Sequence, residues 1–297
     1  MRVGLIDVDG HHVPNLALMK LSAWHKAKGD TVEWCFPLDH YGIVYQSKVF
    51  DNTYSPDIDW TPNADKIIKG GTGYGLDNTL PYEIEHIYPD YSLYPELTKD
   101  TAYGFLTRGC PRHCGFCIVG DKEGLRSVKV ADLSEFWRGQ KKIELLDPNL
   151  LACRDRMDLL DQLIDSKAMV NINQGFDIRL ANEEVAEKLG RMRIKRIHFA
   201  WDNPREDLTE FFKRFAKAYR RKSSSTKVVY TLVNYNTTME ENLWRIYTLR
   251  DLGYDPYVMV FNKTNAPRQI LDLQRWVNNR FIFRKCPKLE DYKSRKD

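Results

Sequence analysis

Nowhere does this sequence stay apolar for the about 20 residues that a membrane helix needs, so no membrane partner is expected. The chain starts directly in what reads as a strand, with no charged-then-apolar leader, which points to a reducing cytoplasm. Cysteines are few, six in all, and Cys35, Cys153 and Cys286 stand far apart. A disulfide framework is therefore not expected. What is present is the composition of a globular chain, 42% hydrophobic and 29% charged, able to bury a sizeable core.

Charge is unevenly spread. Residues 1–100 carry 8 Lys/Arg against 15 Asp/Glu, and the remainder carries 37 against 26. Such a split indicates two units with different surfaces.

The other three cysteines lie in one loop, Arg108-Gly109-Cys110-Pro111-Arg112-His113-Cys114-Gly115-Phe116-Cys117. The spacing is C-x3-C-x2-C, with no fourth cysteine nearby. Thiolates this close on a loop with Gly and Pro suit an iron–sulfur cluster or zinc. On a cubane of four irons, three cysteines leave one iron open, as a catalytic site requires and a structural site avoids. Two other readings stay open: zinc with His113 or a distant cysteine as fourth ligand, or three thiols that are only neighbours.

After residue 100 the pattern alternates between strands and amphipathic stretches. Strands are predicted at 102–107, 141–147, 169–173, 194–200, 227–233 and 256–261. Helices are predicted at 130–137, 156–166, 182–189, 206–219, 239–252 and 270–277. Asp132 or Ser134, Asn182 and the Thr237-Thr238-Met239-Glu240-Glu241 run supply N-caps, and Gly253 supplies a stop. Six such units argue for a parallel sheet curled toward a barrel.

These features together resemble the radical S-adenosylmethionine (SAM) superfamily, in which the SAM amino and carboxylate groups occupy the open iron. Phe116 is similar to the aromatic residue that commonly precedes the last cysteine there. Gly124-Leu125-Arg126-Ser127-Val128, the run Lys142–Asn149 and the run Asn173–Arg179 resemble segments of the subgroup with a cobalamin-binding-like N-terminal domain. The resemblance spans residues 101–265. It implies a partial (β/α)6 parallel barrel of radical SAM type, preceded by a small incomplete α/β domain. The expected division is 1–86 for that domain, 87–100 for a linker, 101–265 for the barrel, and 266–297 for a C-terminal helix and basic tail. It also implies a [4Fe–4S] cluster on Cys110, Cys114 and Cys117, SAM as cofactor, and an electron donor such as flavodoxin or ferredoxin.

In parallel βα folds, chemistry gathers at the C-terminal ends of the strands. Those ends hold Asp147, Asn149, Gln174, Asp177, Arg179 and Asp202, with Asn234 further on. Donors and acceptors of this kind suit a ribose, an adenine and a charged amino-acid moiety. By resemblance, Asp202 contacts the SAM ribose, Asp147 lies near the SAM amino group, and Asn234 is a third contact. At the second strand Asp147-Pro148-Asn149 stands where the family often has Gly-Gly-Glu. Each of these residues is also a type that caps strand–helix junctions. Cys153 is a candidate hydrogen-atom donor to a substrate radical, or a packing residue.

In residues 1–86 an Asp9-Gly10-His11 run sits where the cobalamin-binding fold has its cobalt-ligand loop, and Gly70-Gly71 sits near its Gly-Gly turn. Pro14 replaces the glycine that lets a corrin approach the backbone. Cobalamin is therefore not expected, and the domain is expected to be a remnant. Basic runs at 191–196, 213–222 and 280–296 leave room for a small-molecule, nucleotide or RNA substrate. The lone cysteines disfavour an auxiliary cluster. The expected function is reductive cleavage of SAM to a 5′-deoxyadenosyl radical that abstracts substrate hydrogen. The alternatives are a cobalamin-dependent radical SAM methyltransferase and a non-catalytic iron–sulfur or zinc module.

Overall fold

The computed structural model describes residues 1–10, 12–220 and 226–293. The chain adopts the α/β class expected, with parallel sheets, and divides into two compact units. The first comprises Met1–His113 with Cys117–Leu145, and the second Cys114–Phe116 with Leu146–Asp297.

In the first unit, β1 (Arg2–Asp7), β2 (Thr31–Trp34), β3 (Ile43–Ser47) and β4 (Ile67–Gly70) form a parallel sheet in the order β2-β1-β3-β4. Helix α1 (Leu16–Ala27) begins where Asn15 accepts the Leu18 amide at 3.2 Å. Val3, Leu5, Leu18, Leu21, Ile43 and Ile84 form its core, Ile84 coming from the short α2 (Tyr82–Glu85). Burying each such side chain stabilises by roughly 1.5–3 kcal/mol.

The Ile87–Leu97 stretch, with α3 (Pro95–Thr98) following a 3-10 turn, is fastened to this sheet. Asp90 takes Ser22 and Lys26, each at 2.6 Å, and the Tyr94 hydroxyl donates to Asp7 at 2.7 Å. The strand expected at 102–107 is two strands, β5 (Thr101–Gly104) and β6 (Thr107–Arg108). Beyond α4 (Val119–Glu123), β7 (Val128–Lys129) pairs antiparallel with β6, and β8 (Lys142–Leu145) pairs parallel with β5.

The helix expected at 130–137 is only a 3-10 turn, Leu133–Glu135. Asp132 and Glu135 do form a capping box. The chain then bends to press the Phe136 ring against Gly104, where a Cβ would lie 2.3 Å from it.

In the second unit α5 (Arg156–Asp165), β9 (Met169–Ile172), α6 (Glu183–Arg191), β10 (Arg196–Ala200), α7 (Thr209–Ala218), β11 (Thr226–Val233), α8 (Met239–Asp251) and β12 (Asp255–Val260) alternate as expected. Strands β10, β11 and β12 are parallel neighbours, and Val170 of β9 makes a parallel bridge to Ile194, just before β10. Asn182 caps α6, and Thr238 with Glu241 closes a capping box on α8. Helix α9 (Arg268–Asn278) and α10 (Arg280–Lys285) complete the unit.

Alternation decides the faces. Phe199 packs on Phe212 and Phe215 of α7, while Val233 and Val258 join Ile246, Leu273 and Trp276 under α8 and α9. Residues one step away, such as His198, Tyr230 and Tyr257, face the other side.

Candidate functional site

The cysteine loop leaves β6 through Gly109, whose φ is +86° and whose Cβ would lie 2.1 Å from the Arg126 carbonyl oxygen. Only glycine fits there. Charge fixes the same stretch. Glu123 accepts the Gly109 amide at 3.1 Å and Arg108 Nη1 at 2.9 Å, while Cys110 N–H reaches the Gly124 carbonyl at 3.1 Å. Arg108 Nη2 also donates to Glu85 at 3.1 Å, and Lys20 donates to that carboxylate at 3.0 Å and to the Glu85 carbonyl. Burial works against ionised Glu85, yet Lys20 and Arg108 together hold its carboxyl below the usual range. Burial also pulls Lys20 down, helped by the Arg108 charge and opposed by Glu85 and Glu135.

None of the six cysteines is in a disulfide, and Cys110, Cys114 and Cys117 are half-buried. Cys110 and Cys117 fall in the first unit and Cys114 in the second. The donor chemistry fits a thiolate-held cluster. Among the described residues, however, no three or more His, Cys, Asp or Glu side chains are gathered for a metal ion.

The strand-end residues lie in the second unit. Asp147 and Asn149 follow β8 and are buried. Gln174 is exposed. Asp177 accepts Arg179 Nε at 2.6 Å, and Arg179 also donates to Glu206, so this arginine is tied down locally. Asp202 accepts the Leu232 amide at 3.0 Å. Burial pushes its carboxyl above the ordinary value of 3.8, against the Leu232 hydrogen bond and the charges of Arg245 and Arg179.

Asn234 is left-handed, with φ +65°, and donates to the Phe261 carbonyl at 2.9 Å, closing the end of β11 onto that of β12. Phe116 meets the Tyr235 ring edge-on at 5.4 Å. Cys153 is buried, with its Sγ 4.0 Å from Asp155. The fold thus brings Asp202 under the influence of Arg179, and Phe116 beside the residue after Asn234. Gln174 faces solvent.

Two features escaped the sequence. Arg245, fully buried on α8, donates to the carbonyls of Trp201 (2.6 Å), Asp202 (2.9 Å) and Leu232 (3.0 Å) and to Asn242 (2.6 Å). Burial lowers its pKa to about 10. The available signal was a charged residue at a helical position flanked by Ile246 and Leu249. The second feature is a pair of aromatic rows across the sheet. His198 stacks on Tyr230 at 5.3 Å with rings 3° apart, and Tyr230 meets Tyr257 at 5.9 Å. Phe116, Tyr235 and Phe261 form the other row.

In the first unit, Asp9 accepts Val49 N–H at 2.6 Å, Phe50 N–H at 3.3 Å and the Ser55 hydroxyl at 2.7 Å, anchoring the loop after β3. His11 lies outside the described residues. Gly71 has φ +94°, and a Cβ there would lie 2.3 Å from the Lys48 carbonyl oxygen.

No family model matches the chain, and no curated protein matches it. Among solved structures, Streptococcus suis SuiB bound to the precursor peptide SuiA is similar at 10% identity and a TM-score of 0.40, covering 79% of this chain. The chain covers 54% of that protein, about half its length. No helix among the described residues is long and apolar enough to cross a membrane.

Proposed function

We propose that the chain is a radical SAM enzyme, with a [4Fe–4S] cluster on Cys110, Cys114 and Cys117 and SAM bound at the iron left open. The C-x3-C-x2-C spacing with Phe116 before the last cysteine carries this reading. Regular alternation of parallel strands and helices after residue 168 supports it. The barrel is assigned to residues 101–265, after a cobalamin-free domain at 1–86 and a linker at 87–100. A cluster held by these three thiolates would supply the electron for reductive cleavage of SAM to methionine and a 5′-deoxyadenosyl radical.

The chain's own part is to bind, orient and exclude water. Asp202 would accept the ribose hydroxyls, with Asp147, Asn149 and Asn234 as further polar contacts, and Gln174, Arg179 and Phe116 would complete the set that holds SAM. Protein prepared without oxygen should hold about four irons per chain, the cubane count. It should release 5′-deoxyadenosine on reduction with SAM. Changing any one of Cys110, Cys114 or Cys117 to Ala should abolish both. Zinc as the sole metal, or iron retained in the triple variant, would refute the proposal.

A further inference from the structure

The face of the second unit's sheet that turns away from its helices is bare at β12. Tyr257, Met259 and Phe261 are 42%, 46% and 39% exposed, an unusual run on a strand whose alternate residues, Val258 and Val260, pack into the core. Beyond β12 no further strand is paired among the described residues. The two aromatic rows run into this stripe, one through Tyr230 and one through Tyr235. A contiguous apolar surface of this kind is rarely left without a partner.

Charge indicates which partner. Arg196 begins β10 on the same face and bears electrostatically on both His198 and Tyr230. Lys263 stands just past β12. Both are exposed, and neither has an ion pair among the described residues. Asp255, on this face, is paired with Arg280 at 3.0 Å. Residues 101–297 as a whole carry 37 Lys/Arg against 26 Asp/Glu. Aromatic rings exposed on a sheet with cations at its margins match the demands of unpaired bases on a phosphate backbone. Bases stack on the rings whatever their sequence, and the cations track the phosphates.

We propose that this face is a stacking platform for a single-stranded nucleic acid, with Tyr257 and Phe261 under the bases and Arg196 and Lys263 on the backbone. This rests on the radical reading only in making the bound strand the substrate; the binding itself is independent of it.

The test is fluorescence anisotropy with short labelled single strands of mixed sequence, one DNA and one RNA, across a salt series. Binding should weaken with salt. Tyr257→Ala and Phe261→Ala should each weaken it roughly 5- to 100-fold, whereas Tyr257→Phe keeps the ring and should bind as the parent does. Arg196→Ala should lower the salt slope by about 1. Tighter binding of DNA or of RNA identifies the strand, and either supports the platform. Circular dichroism of the alanine variants guards against misfolding.

Failure of both strands to bind overturns the proposal, as does binding that Tyr257→Ala and Phe261→Ala leave intact. Displacement of the strand by a neutral apolar peptide from these same residues would reassign the face to a polypeptide. The measurement is repeated in the triple cysteine variant. Binding kept there without iron separates failure of this inference from failure of the radical reading.

Discussion

Glu85 in the first unit and Asp202 in the second are both carboxylates drawn away from solvent, and they respond in opposite directions. Glu85 meets Lys20 and Arg108 directly, and its ionised form is favoured. Asp202 has a backbone amide and the more distant Arg245 and Arg179 charges, so burial prevails and its neutral form gains. Arg245 shows the same economy: its guanidinium serves backbone carbonyls and Asn242, with no carboxylate bound directly among the described residues, and burial lowers its pKa to about 10. At Glu85 the first unit compensates charge with charge. At Arg245 the second uses a charged group for its hydrogen-bond geometry and bears the desolvation, which opposite charge in a dry interior often fails to offset.

The comparison breaks most readily at Arg245. Arg245→Ala should cost about 3–5 kcal/mol, because it strips donors from three backbone carbonyls at once. Arg245→Lys should recover little, since an ammonium lacks the planar fork. Urea denaturation measures both. A loss below about 1 kcal/mol for the alanine variant would show that the arginine is not needed as a clip.

A smaller effect sharpens the contrast by sign. The Glu85 contribution is complete above the ordinary value of 4.5 and is lost as pH falls through its lower folded value, so Glu85→Gln should flatten the acid limb of the stability profile. For Asp202 the fold prefers the protonated form, so a penalty grows as pH rises from 3.8 through the raised folded value. Asp202→Asn keeps the acceptor for Leu232 and should gain stability near neutral pH. A loss there instead would mean that attraction to Arg245 outweighs desolvation, and the two carboxylates would then behave alike.

The smallest effect is at the caps. Thr238→Ala in the second unit and Asn15→Ala in the first should each cost about 1 kcal/mol. Asn15 should be the dearer, because its amide also donates to Ser47 at 2.9 Å. Equal losses would mean that this buried bond adds nothing to the cap.

Most elements of the second unit were legible because period and caps agree there. Asn182, Thr238 and Gly253 mark helix ends that apolar spacing also predicts. In the first unit β3 went unread. Its first three residues, Ile43-Val44-Tyr45, are strand-like, but it ends in Gln46 and Ser47, which are buried through bonds to distant partners. Gln46 donates to Asp57 at 2.5 Å and to Tyr74, and Ser47 accepts from Asn15. A polar residue satisfied inside looks, in sequence, like one meant for solvent. The cysteine spacing and the polar strand ends could be read because they depend on residue type at fixed positions. The bare aromatic face could not, since an alternating strand does not declare which of its two apolar sides will be covered.

Glu123 has a consequence for the entropy of the cysteine loop. By gripping Arg108 and the Gly109 amide, and with Gly124 accepting from Cys110, the segment around α4 closes the chain between Arg108 and Gly124 into a ring held by protein contacts alone. The entropy of closing a loop is then spent during folding. On the proposed reading, a cluster would be offered thiols on a tether whose ends the polypeptide has already joined, and would have less order left to impose.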